Sequence, residues 1–153
     1  MALFNVRVYG VLIDSRKRLL VSDEYIRGGY FTKLPGGGLE FGEGTRDCLQ
    51  REFMEETGLK VTVGDHLYTT DYFQISAFNH DHQIISIYYF VHATEPIALG
   101  TKTTAFDFAP EQVSDPNGES EVFRWIEWDD LHPELVSLPI DKLVIRMLKD
   151  KIS

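Results

Sequence analysis

The chain has 153 residues, 43% hydrophobic and 25% charged, with a formal net charge of −9, which suits one soluble globular domain, 1–153, with a real core. So acidic a surface argues against a nucleic-acid partner, because phosphate backbones are held by clustered Lys and Arg. A small phosphorylated substrate stays possible if metals carry the positive charge at its site.

One cysteine, Cys48, excludes an internal disulfide and fits a reducing compartment. Residues 1–5 carry neither a basic segment nor an apolar run of signal length. No stretch approaches the roughly 20 apolar residues that span a bilayer. A cytoplasmic protein without a membrane partner is the expectation.

From the N-terminus, Leu3 to Asp14 alternates as a valine-rich strand, Asp14 to Lys17 is a polar turn, and Arg18 to Ser22 returns as a second strand. Arg7 on the first strand is a candidate phosphate ligand. Asp23 to Tyr30 is expected to be a loop. Its Arg27 and Tyr30 could hold a phosphate and stack on a base, although turn chemistry alone accounts for Gly28 and Gly29. Phe31 to Leu34 is a short strand leading into Gly36, Gly37 and Gly38, expected to be a turn that lets the backbone approach a ligand closely.

A helix is expected over Thr45 to Thr57, capped by Thr45, with Asp47 near its positive end and Gly58 as its stop. At about 100° per residue, Glu52, Glu55 and Glu56 share one arc, with Leu49 and Phe53 beside it turning inward. Several glutamates on a helix ordinarily mean a solvated acidic face. Like charges at i,i+4 cost a few tenths of a kcal/mol on a bare helix. A hard cation reverses that penalty: Mg²⁺ takes oxygen ligands, keeps several waters and bridges carboxylates to phosphates.

The glycine segment and the helix together are more specific than either. Gly37 is followed by five residues and Glu43, then by seven residues and Arg51-Glu52-Phe53-Met54-Glu55-Glu56-Thr57-Gly58-Leu59. This spacing resembles the Nudix box in all its specified positions, and the chain is similar to the MutT-like Nudix hydrolases. The resemblance implies an α/β/α sandwich with a mixed β-sheet and a Mg²⁺-dependent pyrophosphohydrolase, with Mn²⁺ as a possible substitute. The bond cut is a phosphoanhydride in a nucleoside diphosphate linked to a further group.

It also implies metal ligation by Glu52, Glu55, Glu56 and the carbonyl of Gly36. Glu43 and Arg51 would support the site, the arginine orienting a glutamate. The base is either Glu55 or Glu56 of the box, or a glutamate before the last strand, where Glu119 fits best and Glu121 next. The substrate stays open between a nucleoside triphosphate and a nucleotide-sugar-like diphosphate. The alternative is a nucleotide-sensing module on the same fold that does not hydrolyse. Dimerisation, common in the family, leaves a homodimer open.

Beyond the box, Lys60 to Val63 is a strand and Gly64-Asp65 a turn. His66 to Phe78 and Gln83 to Ala93 form a hairpin about Asn79 to His82, and the second of these should lie centrally in a sheet. His80 and His82 read as a solvated tip, lacking a third ligand in register. Glu95 to Ser120, broken by Pro96, Gly100, Pro110, Pro116 and Gly118, is a long connection expected to border the substrate, with a short helical piece near Pro110 to Val113. Glu121 to Trp128 is the last strand, and Pro139 to Lys151 a C-terminal helix.

Overall fold

The computed structural model describes residues 2–152. They divide into two compact units. One holds the chain up to Leu12 together with Pro35–Leu99, and the other Ile13–Leu34 together with the chain from Gly100 onward.

In the first unit, β1 (Leu3–Leu12), β4 (Gly36–Gly38), β5 (Val61–Thr69) and β6 (His82–Ala93) form a mixed sheet in the order β4-β1-β6-β5. The strands β1 and β6 are parallel, and both outer pairings are antiparallel. The apolar β6 is interior to the sheet, as its composition predicts. The Gly36 to Gly38 segment is not a free turn: it is an edge strand paired residue for residue with Tyr9, Val8 and Arg7. Glycine is required there because a Cβ on Gly36 would collide with the Val8 carbonyl oxygen. Gly64 and Asp65 lie within β5, where the register with β6 shifts, so the expected turn is a bulge. The long strand expected to run to Phe78 stops at Thr69. Beyond it the hairpin is kept by the isolated bridge Ile75 to Gln83 and by backbone bonds from the Thr70 N–H to the Ser86 carbonyl and from the Ile84 N–H to the Gln74 carbonyl, and its tip closes with the His82 N–H on the Asn79 carbonyl.

The helix α1 (Thr45–Thr57) has the expected bounds but a different cap. Gly44 is the N-cap, and its N–H is taken by the Asp47 carboxylate at 3.2 Å. The Thr45 hydroxyl instead bonds the Tyr89 hydroxyl at 2.7 Å. Gly58 closes the helix at φ 74°, its N–H on the Met54 carbonyl. Cys48, Leu49 and Phe53 are its buried stripe. Phe53 lies so close over Gly10 of β1 that a Cβ there would come within 2.7 Å of the ring. This docks the acidic helix onto the sheet and leaves its glutamates at the rim.

In the second unit, β2 (Arg18–Ile26), β3 (Gly29–Lys33) and β7 (Glu119–Glu127) form an antiparallel sheet in the order β3-β2-β7. The expected loop over Asp23 to Tyr30 is therefore a tight hairpin. Only Arg27 and Gly28 turn, both at positive φ (45° and 87°), the geometry of a two-residue type I′ turn. Asp23, fully buried, is tolerated in a strand because Arg124 grips both its oxygens at 2.8 and 3.0 Å and Thr32 donates to it at 2.7 Å. Its carboxylate also takes the Phe106 N–H at 3.2 Å, tying the long connection to the sheet. The expected helical piece is the 3₁₀ turn Pro110–Gln112.

The C-terminal helix, α2 (Pro139–Ile152), buries Ile140, Val144, Ile145 and Leu148, with Leu143 and Met147 half-buried. Its buried Asp141 accepts the Leu34 N–H at 3.3 Å, fixing the end of β3 just before the glycine strand.

Candidate active site

The acidic face of α1 is organised by one arginine. Arg51 donates to Glu43 through Nε (3.0 Å) and Nη2 (2.7 Å), and through Nη2 to the Gly38 carbonyl of β4 (3.1 Å). Its Nη1 donates to Glu52 at 3.0 Å and to Glu55 at 3.2 Å. Glu40 lies 3.7 Å from the same nitrogen. One guanidinium thus gathers four carboxylates, tethers the helix to the glycine strand, and leaves three of their negative charges unbalanced at the rim. The five-donor planar fork of arginine is the side chain suited to this; a lysine ammonium has no comparable reach in one plane.

Two titrations follow from these contacts. The Arg51 hydrogen bond is the chief force holding the Glu43 carboxyl down to about 2, with the Glu40 backbone adding to it. Arg51 is itself held above its usual range by Glu43. Cys48 is pushed up to about 12, first by burial and then by Glu43 beside it, so its thiol stays protonated and unreactive at neutral pH.

Gly37 serves this site by having no side chain. A Cβ there would stand in the volume of the Glu52 carboxyl, so Glu52 seats against bare backbone, only 13% of its side chain exposed. Glu55 is exposed and Glu56 half-buried on the same helix.

The donor set fits a hard divalent cation. It is all oxygen and carries surplus negative charge, and Arg51 engages Glu52 only through Oε1. Among the described residues, no group of three or more His, Cys, Asp or Glu side chains is arranged to hold a metal by itself. Coordination here would be completed by a backbone carbonyl such as that of Gly36, by water and by substrate oxygens, the manner in which Mg²⁺ is commonly bound.

The other sequence candidates fall as follows. Arg7 on β1 donates through Nε to the Tyr9 hydroxyl at 2.7 Å and sits opposite Gly38 in the sheet. In the second unit, Arg27 is exposed at the hairpin turn. Tyr30 is half-exposed and packs against Tyr25, Phe106 and Phe108, its ring centroid 5.4, 5.5 and 6.1 Å from theirs. Sequence reasoning missed these phenylalanines because nothing local links them to Tyr30. Glu119 is exposed at the start of β7, and Glu121 is half-buried on the same strand. His80 is exposed, whereas His82 is half-buried at the start of β6, 3.3 Å from the Asn79 amide. Among the described residues, no helix is long and apolar enough to cross a membrane.

Comparison with known proteins points one way. A family model, the NUDIX domain, matches residues 3–147. Among solved structures, the MutT protein of Methanosarcina mazei Go1 superposes with a TM-score of 0.65 at 15% identity, over 99% of this chain and 98% of that one. The ORF135 protein of E. coli gives 0.63 at 17% identity, over 97% and 91%. The MutT Nudix hydrolase of Burkholderia pseudomallei gives 0.61 at 18% identity, over 95% and 98%. At such identities the structures show a shared fold.

Proposed function

The chain belongs to the NUDIX family and is thereby a pyrophosphohydrolase of nucleoside diphosphate derivatives, and we propose that it cleaves a phosphoanhydride of a nucleoside triphosphate or nucleotide-sugar-like diphosphate with Mg²⁺. The observation that supports this reading most is the Arg51 cluster, in which one guanidinium aligns Glu43, just before α1, with Glu52 and Glu55 of α1 against the glycine strand.

Nudix hydrolases use divalent cations, and in this reading Glu52, Glu55, Glu56 and the Gly36 carbonyl hold them. A bound cation supplies charge neutralisation at the phosphate oxygens and acidifies a bound water. The chain's own residues do the rest. Arg51, itself fixed by Glu43 and the Gly38 carbonyl, fixes Glu52 and Glu55 so that their oxygens need not reorganise when substrate arrives. A carboxylate accepts the proton of the attacking water: Glu55 or Glu56 on the helix, or Glu119 of β7. Arg7 and Arg27 bind phosphate oxygens, and the half-exposed Tyr30 ring offers a stacking face for the base.

Substitution tests the assignment. Glu55→Gln or Glu56→Gln keeps size and hydrogen bonding but removes charge, so metal-dependent turnover should vanish while circular dichroism and Tm stay those of the parent. Full turnover in both variants would contradict the metal placement.

A further inference from the structure

A second set of titratable side chains lies on one face of the β3-β2-β7 sheet, distinct in its residues from the arginine cluster. Glu24 of β2 is directly opposite Glu121 of β7, and Ser22 of β2 is opposite Lys33 of β3. The Ser22 oxygen is 2.5 Å from Glu121 Oε2 and 3.1 Å from Glu24 Oε2. Lys33 Nζ is 3.3 Å from Glu24 Oε1. Ser22 is fully buried, and Lys33 is 6% exposed.

Counting hydrogens determines the charge state. A serine hydroxyl carries one proton and can donate one hydrogen bond. It touches two carboxyl groups here. Were both ionised, one of the contacts would set lone pairs against lone pairs in a buried position. The contacts are both satisfied only if one carboxyl is protonated and donates to the serine oxygen. Glu24 has the lysine as partner and is the group that keeps its charge. Glu121 makes the shorter contact with Ser22, so it is the group that keeps the proton.

We propose that Glu121, Ser22 and Glu24 hold one proton in common at neutral pH, Glu121 donating to the Ser22 hydroxyl and Ser22 to the Lys33-paired Glu24 carboxylate, and that release of this proton loosens the β2–β7 pairing. The remaining charge is neutral overall: one carboxylate, one ammonium. Loss of the proton puts two carboxylates on directly opposed positions of adjacent strands with a single lysine between three strands, an arrangement that destabilises a sheet.

The protonation energetics agree. Burial is the main force that pushes Glu121 up to about 7, and the Glu24 charge adds to it. Within this unit the other charged groups of that sheet face are Arg18 of β2 and Glu119 and Glu127 of β7, from the strand register. Asp23 and Arg124 pair on the opposite face. The sign of the effect is the reverse of ordinary carboxylates. A folded-state pKa above the unfolded value means that the folded state binds more protons between about 4.5 and 7, so stability falls as pH rises through that window. One proton changes the folding equilibrium by at most about tenfold per pH unit there.

The test combines carboxyl carbon NMR on the wild type with thermal unfolding. The expected result is one glutamate, Glu121, titrating near neutrality. Ser22→Ala should move the Glu121 midpoint downward, because the removed hydrogen bond is one that the protonated carboxyl donates. Glu121→Gln mimics the protonated acid, and its Tm should fall less than that of the wild type between pH 5.5 and 8. The proposal is overturned if Glu121 of the wild type titrates below pH 5, if Ser22→Ala leaves or raises the midpoint, or if Glu121→Gln keeps the wild-type pH slope. Because the wild-type titration alone decides the shared proton, a poorly folded variant does not blunt the test. None of these readouts depends on hydrolysis, so the proposal stands or fails apart from the proposed activity.

Discussion

Arg51 carries more of the site than any single glutamate, because it converts a repulsive acidic face into an ordered one. Two outcomes follow at this scale. Replacing it by Met should release Glu43, whose carboxyl then titrates near its ordinary 4.5 instead of about 2, read by carboxyl NMR. The sign for stability follows: a depressed folded-state pKa contributes stability that is complete above about 4.5 and is lost as pH falls toward about 2. The Arg51→Met protein should therefore lose less of its Tm on acidification than the wild type. Arg51→Lys keeps the charge and loses the fork, so metal-dependent turnover should drop about 10- to 100-fold, the usual cost of removing a partner that orients ligands. Unchanged turnover in that variant would mean that charge alone suffices.

At the scale of elements, the glycine strand and the box helix work as a pair. Gly36→Ala forces a Cβ into the Val8 carbonyl, a clash with backbone that cannot move aside, and should cost about 1–3 kcal/mol of stability, as overpacking does. Gly37→Ala meets only the Glu52 carboxyl, an end that can swing away. Its Tm should stay closer to that of the wild type while turnover collapses, and equal effects of the two substitutions on Tm would count against this division. Phe53→Ala, which empties the space over Gly10, should cost about 3–5 kcal/mol. The helix was legible in the sequence because all its signals are local: Asp47 and Gly58 at the ends, Leu49 and Phe53 on the buried stripe. The hairpin over Asp23 to Tyr30 was not. A buried aspartate in a strand makes sense only with Arg124, 101 residues away, and the turn uses Arg27-Gly28 rather than the asparagine or aspartate that commonly announces a type I′ turn. The β5 strand misled in the opposite way, since residues of strand-forming type such as Tyr72, Phe73 and Ile75 run on past Thr69 while the continuous pairing with β6 stops there.

For the whole molecule, the box placed the chain in its family from Gly37 to Leu59, and the family model extends that to residues 3–147. What the box could not give is the substrate. The surroundings of Tyr30 show why: Phe106 and Phe108 come beside it from distant positions in the chain. The acidity of the whole is compatible with a phosphorylated substrate only if cations carry the compensating charge, so dependence on a divalent ion is the central claim. It is tested most directly by a hydrolysis screen with Mg²⁺ or Mn²⁺ over nucleoside triphosphates, ADP-ribose, nucleotide sugars and dinucleoside polyphosphates, with products identified by mass. The account predicts cleavage of one substrate class at a phosphoanhydride, abolished by EDTA and restored by the metal. Tight nucleotide binding with no cleavage of any of them, metal present, would contradict it and leave a nucleotide sensor.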